Sequence, residues 1–327
     1  MGEFELLERV RERLPAPGPR VRIGSGDDAA VTVPGGATAT SIDALVDGVH
    51  FRRDRSSLTQ IGRKALATAL SDLAAMGAGA GEAYVAIGIP RDLDEAGCLE
   101  LVDGLAALAA ETGTALVGGD VTRAPALILT VTVVGHAPAP EQLVGRGGAR
   151  PGDLLVLTGE IGAAGAGLLL LERPELEARV TDPIAARLRR RQLDPTPRLA
   201  TGQALAAAGA TAMIDVSDGL GADAAHLAKA SGARLRIDAG ALPLAGGVAE
   251  VAAGAGRHPL ELAASAGEDY ELLAALPPER LAAATTGIGR AAETTLAQIG
   301  EVSEGSGVEI RLPGGETLEP NGFDQLR

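Results

Sequence analysis

The stretch TAMIDVSDGLGADAAHLAKASGARLRID, residues 211–238, decides the fold of the second half of the chain. It predicts a strand, a helix that begins at Leu220, and a second strand over ARLRID. Asp215 and Ser217 are two residues apart on the first strand, so their side chains share one face. Asp218 lies where the helix begins, a position at which aspartate caps helices and also binds ligands. Strands and helices alternate in both halves, which indicates an α/β or α+β protein.

The same stretch also contains the glycine spacing of a dinucleotide-binding turn. Gly219, Gly221 and Ala224 follow a strand and open a helix, and the helix N-terminus is a ready anion site. One alternative is therefore a dinucleotide-dependent oxidoreductase. Asp215 and Asp218 would repel a pyrophosphate there, whereas Mg²⁺ between the charges would make the same geometry attractive.

Aspartate recurs beside small or turn-forming residues in six segments of the chain. Carboxylates gathered without a His or Cys cluster are the ligand set of a hard cation such as Mg²⁺. Glycines beside them let a backbone approach phosphate closely. The pattern therefore points to Mg²⁺-polyphosphate chemistry. The segments are GDDAAV (26–31), SID (41–43), LSDLAAMG (70–77), GGDVTR (118–123), DVSDGL (215–220) and GEDYELL (267–273).

Asp72 breaks the local pattern of its helix, which is predicted over residues 58–76. It lies on or beside the apolar stripe that contains Ile61 and Ala65, close to the helix C-terminus where the helix dipole disfavours an anion. An acid there costs stability unless something compensates, which favours a functional role. A capping or solvated role is the alternative.

Three other positions have both a functional and an ordinary interpretation. Asp120 follows the strand ALV, so we expect it at a strand end where sheets tend to bind ligands, although Gly-Gly-Asp also forms ordinary turns. GEDYELL is either part of the site or a solvated strand edge. His50 is the one histidine near a candidate segment, and a lone histidine is usually structural.

Composition restricts the function classes. The chain has 327 residues, 46% hydrophobic and 22% charged, which is typical of globular proteins. A net charge of −14 and 2% aromatic residues disfavour nucleic acid and anionic membrane as partners. The single cysteine, Cys98, suits a reducing cytoplasm, and the N-terminus lacks the apolar core of a signal peptide. Uncharged stretches such as 199–214 are too short to span a membrane.

The segment HAPAPEQLVGRGGARPGD, residues 136–153, has the Pro and Gly density of a linker. It predicts two domains, residues 1–140 and 150–327. In the first domain, the strand ALILTVTVVG is predicted as an exposed apolar edge, a natural pairing surface for a symmetric dimer.

Two absences limit the phosphate chemistry. Neither lysine, Lys64 nor Lys229, follows a glycine, so the sequence has no Walker A loop, and the protein-kinase catalytic loop is also missing. A phosphate-transferring enzyme of this sequence relies on metal ions and arginines, with Arg146 the best-placed candidate. The alternative for Arg146 is a surface turn charge.

In this order the segments resemble the thiamine-monophosphate kinases, of the aminoimidazole ribonucleotide synthetase superfamily. The likeness also covers the start GEFELLERV, the continuation SIDALVDGVHF, the segment GRGGARPGDLLVLTG and a terminal Gly-Phe. It implies ATP-dependent phosphorylation of thiamine monophosphate to thiamine diphosphate with several Mg²⁺ ions. It also implies an N-terminal Mg²⁺/ATP-binding domain whose sheet pairs in a homodimer, and a C-terminal domain that completes the site.

The resemblance assigns roles residue by residue. Family positions with Thr, an aromatic residue and Gly are Ile42, Val102 and Ala266 here, so Ile42 offers only its carbonyl and base stacking has no candidate at Val102. Implied metal ligands are Asp28, Ser41, Ile42, Asp43, Asp72, Asp120, Asp215 and Asp218; implied ATP contacts are Gly119, Asp120, Arg146 and Ser217; implied substrate contacts are His50, Glu268 and Phe323.

No residue of the sequence resembles an activated covalent nucleophile, since Cys98 is mid-helix and Ser41 and Ser217 have no histidine in their own segments. The sequence therefore predicts direct transfer. Two further alternatives stay open, another ATP-dependent enzyme of the same superfamily and a non-catalytic Mg²⁺-nucleotide-binding protein.

Overall fold

The computed structural model describes residues 3–16, 18–25, 29–291 and 294–323. The chain divides into two compact units, one of residues 1–73 and 78–140, the other of residues 74–77 and 141–327. Asp28, a predicted metal ligand, lies outside the described residues. The predicted division of function between the two domains stays a prediction.

The first unit is built around one sheet with helices on one side. Its elements are α1 (Glu3–Arg13), β1 (Val21–Ile23), β2 (Val31–Thr32), β3 (Ala37–Val46), α2 (Leu58–Ala75), β4 (Gly79–Ile89), α3 (Glu95–Thr112), β5 (Ala115–Arg123) and β6 (Ile128–Ala137).

The sheet has the strand order β3-β6-β4-β5, in which β5 runs parallel to β4 and the other pairs are antiparallel. The prediction of an edge strand at ALILTVTVVG is therefore wrong, because β6 is paired on both sides. Leu129, Val131 and Val133 of β6 are fully buried and alternate with half-buried threonines. Side-chain alternation reports which face is buried, whereas strand order depends on backbone pairing, so the pattern did not distinguish interior from edge.

The two long helices of this unit pack closely through glycines. A Cβ on Gly62 of α2 would meet the carbonyl oxygen of Leu101 at 2.1 Å, and one on Gly104 of α3 would meet that of Thr59 at 2.1 Å. Because larger residues are excluded at both positions, the helix pair forms a tight layer. On the other face of the sheet, Ile42 is 64% exposed.

The second unit is a seven-stranded sheet with buried apolar clusters that involve helices on both faces. The elements of this unit are β7 (Leu154–Thr158), α4 (Ala163–Glu172), α5 (Asp182–Leu193), α6 (Leu199–Ala208), β8 (Ala212–Asp215), α7 (Leu220–Ser231), β9 (Arg234–Asp238), α8 (Val248–Gly254), α9 (Pro259–Ser265), β10 (Leu272–Leu276), α10 (Leu281–Ala291), β11 (Leu296–Ser303), β12 (Gly307–Arg311) and β13 (Thr317–Leu318). A further apolar cluster joins α4, α5 and α8.

The strand order is β13-β12-β9-β11-β7-β10-β8, and only β9 and β12 are a parallel neighbouring pair. The mixed α/β class predicted from the sequence is confirmed. The strand, helix and strand expected over 211–238 are β8, α7 and β9. Three strands lie between β8 and β9, so they do not form the adjacent parallel pair of a dinucleotide-binding unit.

In the described part of the chain, no helix combines the length and the apolar character that crossing a membrane requires.

Candidate functional site

The first unit brings two predicted metal ligands into contact. The Ser41 hydroxyl on β3 donates a hydrogen bond to the Asp72 carboxylate on α2. Asp43 follows two residues later on β3, so its side chain shares the face of the sheet that meets Asp72. Ile42, between them, points its side chain the other way, which leaves its carbonyl as the group available for binding.

Asp120 lies elsewhere in this unit than the sequence suggests. It was expected at a strand end, but β5 continues through GGDVTR to Arg123, so Asp120 is within the strand. The strand registers place Asp43 and Gly119 in one row, and Asp120 therefore faces the opposite side of the sheet. Three strand spacings separate β3 from β5, roughly 14 Å. Within one chain, Asp120 does not join the Asp43 group.

Gly119 is required by the packing of β5 on β4. A Cβ at this position would meet the carbonyl oxygen of Val85 at 2.1 Å. The glycine therefore permits a close approach of two strands, and its predicted contact with ATP stays a prediction.

His50 follows β3 in a short turn and is held by its neighbours. The Val46 amide donates to Nδ1 of His50 at 3.1 Å, which leaves Nε2 as the protonated nitrogen of the neutral ring. The ammonium of Lys64, a residue only 3% exposed, lies 3.4 Å from the His50 carbonyl oxygen. The imidazole is therefore oriented by the fold.

The second unit brings DVSDGL and GEDYELL side by side. The Glu268 amide donates to the Ser217 carbonyl at 2.8 Å, and the Tyr270 amide to the Val216 carbonyl at 2.9 Å. The Phe323 amide donates to the Asp218 carbonyl at 2.8 Å. Predicted metal, ATP and substrate residues of this unit thus lie together at the end of β8.

Asp223, which the sequence analysis did not single out, shapes this loop. Its carboxylate accepts hydrogen bonds from the amides of Ser217, Asp218 and Gly219 at 2.9, 3.1 and 3.1 Å. Burial, and then the charges of Asp215 and Asp218, raise the pKa of Asp223 to about 8. One internal carboxylate therefore binds three amides at the start of α7.

Two expectations for the start of α7 are corrected. The residue preceding the helix is Gly219, with φ of 122°, so Asp218 is not the N-cap. The anion site expected at this helix N-terminus is filled by Asp223, which leaves those amides unavailable to a pyrophosphate. Together with the separation of β8 from β9, this removes the structural basis of the dinucleotide alternative.

GEDYELL is buried, so its interpretation as a solvated strand edge is wrong. Asp269 is 2% exposed and Glu271 0% exposed. The Asp269 carboxylate accepts the amides of Gly162 and Ala164 at 2.6 and 3.0 Å and so caps α4. Glu271 receives hydrogen bonds from Arg191 and Arg198 and, at 2.8 Å, from the Thr158 hydroxyl. The acids look solvated in sequence because their partners, two amides for Asp269 and two arginines for Glu271, come from distant segments.

Asp269 predicts a measurable dependence of stability on pH. Burial raises its pKa from 3.8 to about 6, with the two amide hydrogen bonds opposing this shift. A raised folded-state pKa gives stability that is complete below about pH 3.8 and lost as the pH rises through about 6. The loss amounts to about 3 kcal/mol.

The test compares wild type with Asp269→Asn, which cannot ionise. We expect the unfolding free energy of wild type minus that of the variant to fall by about 3 kcal/mol between about pH 4 and pH 7 in urea titrations. Asp182→Asn, at an exposed acid, is the control for replacing a carboxylate by an amide. A flat difference for Asp269→Asn would contradict the assignment.

Arg146 lies far from the other predicted site residues of its unit. It is exposed, and its carbonyl accepts a hydrogen bond from Ser231, at the C-terminal end of α7. Asp218 precedes the other end of that helix, which is roughly 18 Å long. The predicted ATP contact of Arg146 stays a prediction.

The donor set fits a hard divalent cation. Ser41, Asp43 and Asp72 offer only oxygen atoms, as do Asp215 and Asp218. Among the described residues, no group of three or more His, Cys, Asp or Glu side chains is already arranged around one point as a metal site. Within each unit, the fold groups the candidate oxygen donors into one set.

Asp223 is the acid that the sequence analysis did not single out. Its one local signal is its place five residues after Asp218 in DGLGAD. Arg191 and Arg198 gave no comparable signal, because their partners lie far away in sequence.

Known proteins are similar to this chain in both of its halves. Residues 26–137 match the family model AIR synthase related protein, N-terminal domain, and residues 150–313 match the C-terminal domain of the same family. A thiamine-monophosphate kinase of Mycobacterium tuberculosis is 40% identical over 278 residues, 84% of this chain and 80% of that protein.

Two solved structures are similar over most of their length. Thiamine-monophosphate kinase from Stenotrophomonas maltophilia K279a has a TM-score of 0.85 and 34% identity, with 97% of this chain and 98% of that chain covered. The structure of AaThiL complexed with AMPPCP and TMP has a TM-score of 0.76 and 31% identity, with 88% and 86% covered.

Proposed function

The chain belongs to the thiamine-monophosphate kinases of the AIR synthase related family and phosphorylates thiamine monophosphate with ATP, and we propose that the transfer is direct and in line. The observation that carries this proposal is the pairing of DVSDGL with GEDYELL, which places Ser217 and Asp218 beside Glu268. Residues predicted for ATP, metal and substrate thus share one end of β8, as a ternary complex requires.

For this phosphoryl transfer the protein has to position the two substrates and neutralise their charge. The acceptor phosphate oxygen is already anionic at neutral pH, so no general base is needed. Two anionic substrates must enter a protein of net charge −14, which makes cations necessary for binding.

Two sets of oxygen-bearing residues, one in each unit, would hold Mg²⁺. Ser41, Asp43 and Asp72 form one, and Asp215 and Asp218 the other. When bound, Mg²⁺ neutralises phosphate charge and aligns the donor and acceptor groups. Asp223 holds the loop that presents Asp215 and Asp218, so it fixes the second set without entering it. Asp28 and Asp120 complete the proposed ligands.

The remaining proposed contacts are those that the family resemblance implies. His50, Glu268 and Phe323 would meet thiamine monophosphate, and the oriented imidazole and the fixed Glu268 backbone favour specific hydrogen bonds. Gly119, Arg146 and Ser217 would meet ATP, with the arginine supplying a charge for the phosphates. A cytoplasmic location is proposed on the single cysteine, Cys98, and on the intracellular nature of ATP-dependent chemistry.

Initial-rate kinetics test the direct mechanism. We expect double-reciprocal plots against the two substrates to intersect, a chiral γ-phosphate to invert once, and no ADP–ATP label exchange without thiamine monophosphate. Parallel plots with label exchange would instead mean a phosphoenzyme, with an aspartate of DVSDGL as the nucleophile. ATP binding without ADP release would mean a non-catalytic nucleotide-binding protein, and ADP release with a different acceptor would mean another enzyme of the superfamily.

We propose a symmetric dimer in which two copies pair through the exposed face of the first unit's sheet. This face carries Ile42, whose side chain is 64% exposed, and Asp120 faces the same side of the sheet. Pairing of two copies through it would bury Ile42 of both chains.

Light scattering tests this assembly and should give twice the chain mass at micromolar concentration. A stable monomer at that concentration would refute the dimer.

A further inference from the structure

Two consecutive side chains near the end of α5, Arg191 and Gln192, donate hydrogen bonds to the segment GEDYELL. The Gln192 side-chain amide donates a hydrogen bond to the Glu268 carboxylate. The Arg191 guanidinium donates to the Asp269 carbonyl at 3.0 Å and to the Glu271 carboxylate at 2.8 Å. A helix that lies far away in sequence is therefore tied to both the backbone and the side chains of this segment.

The backbone of the segment is held in an unfavourable conformation. Glu268 and Tyr270 have φ of 66° and 50°, in the left-handed region that favours glycine. Such conformations persist where the surroundings determine them, and they cluster at ligand sites. Here the amides of both residues are bound by DVSDGL, while Arg191 binds the carbonyl between them. The backbone position of Glu268 is therefore fixed by several contacts.

The backbone contacts fix the main chain of Glu268, and Gln192 fixes the direction of its side chain. Gln192 is only 5% exposed, and a buried amide is costly unless it is hydrogen-bonded. An apolar residue of the same volume would fill this space without that requirement. The glutamine is thus explained by its bond to Glu268 better than by packing.

We infer that Gln192 is a positioning residue, which holds the Glu268 carboxylate in the rotamer that meets thiamine monophosphate. The inference rests on the proposed contact of Glu268 with this substrate. A free glutamate side chain samples several rotamers, and ordering it during binding lowers affinity. Because Gln192 already holds the Glu268 side chain in one rotamer, substrate binding does not have to order it.

The expected effect is confined to one substrate. Gln192→Met keeps the volume and removes the donor, so the KM for thiamine monophosphate should rise about tenfold while the KM for ATP and kcat stay near wild type. The matched control is Gln203→Met, the same change at an exposed position of α6, which should alter neither KM. Isothermal titration with thiamine monophosphate should show the same loss as the KM.

A double-mutant cycle separates positioning from packing. In a Glu268→Ala background, which has no side-chain acceptor for the Gln192 amide, the additional change Gln192→Met should have no further effect on the KM for thiamine monophosphate. A rise that persists in that background, an equal rise in both KM values, or a change only in the melting temperature would overturn the inference and leave Gln192 a structural residue.

Two further outcomes distinguish this inference from its premise. If Glu268→Ala leaves the KM for thiamine monophosphate unchanged in an active kinase, Glu268 does not meet the substrate, and the inference falls while the proposed function stands. If the wild-type protein forms no ADP in response to thiamine monophosphate, the proposed function falls and the inference falls with it.

Discussion

Excess chelator should abolish turnover, and Mg²⁺ or Mn²⁺ should restore it. The candidate ligands of both units are carboxylate and hydroxyl oxygens, a set that suits hard cations. Without a cation, ATP and thiamine monophosphate would have to approach two groups of carboxylates in a chain of net charge −14. The measurement is ADP formation after EDTA treatment, followed by addition of one metal at a time.

The identity of the restoring metal is part of this prediction. Zn²⁺, which favours His and Cys ligands, should restore activity poorly. The control is Ca²⁺, which also takes oxygen ligands but accepts a larger and looser shell, and should support binding better than turnover. Full activity in excess chelator would contradict the metal-dependent mechanism in all its parts.

Asp72→Asn should lower kcat by about 10²- to 10³-fold, the usual loss when one preorganised charge at a reacting group is removed. The variant should keep or gain stability in metal-free buffer, because it removes an acid near the C-terminal end of α2, where the helix dipole disfavours negative charge. The asparagine oxygen can still accept the Ser41 hydrogen bond, so the local structure should persist.

The matched control is Asp54→Asn, at an exposed aspartate that pairs with Arg52 on the surface. It should leave kcat unchanged and alter stability little, because exposed ion pairs contribute little to stability. The two variants are compared by initial rates with saturating Mg²⁺ and by thermal unfolding with and without the metal. Near-normal activity of Asp72→Asn would show that this carboxylate serves the fold alone.

Much of the fold is encoded locally. The apolar spacing of residues 58–76 predicted α2, and the strand, helix and strand over 211–238 are β8, α7 and β9. Side-chain periodicity and glycine ends act within a few residues, so a single sequence shows them. The sequence predictions for β5 and β6 were wrong because they depend on strand pairing. The length of β5 through GGDVTR and the interior place of β6 are set by the strands that pair with them.

The candidate site divides in the same way. The sequence by itself determined the kinds of ligand, since aspartates without histidine or cysteine neighbours restrict the chemistry to hard cations and phosphates. The tertiary structure alone decided which of them meet: Ser41 contacts Asp72, whereas Asp120 turns to the other face of the sheet. It also revealed Asp223, which binds three amides across a turn, and Gln192, which reaches Glu268 from a distant helix. The ligand chemistry of a residue follows from its type and can be read from the sequence. The proximity of residues that are distant in sequence depends on strand order and helix packing, which local sequence patterns do not show.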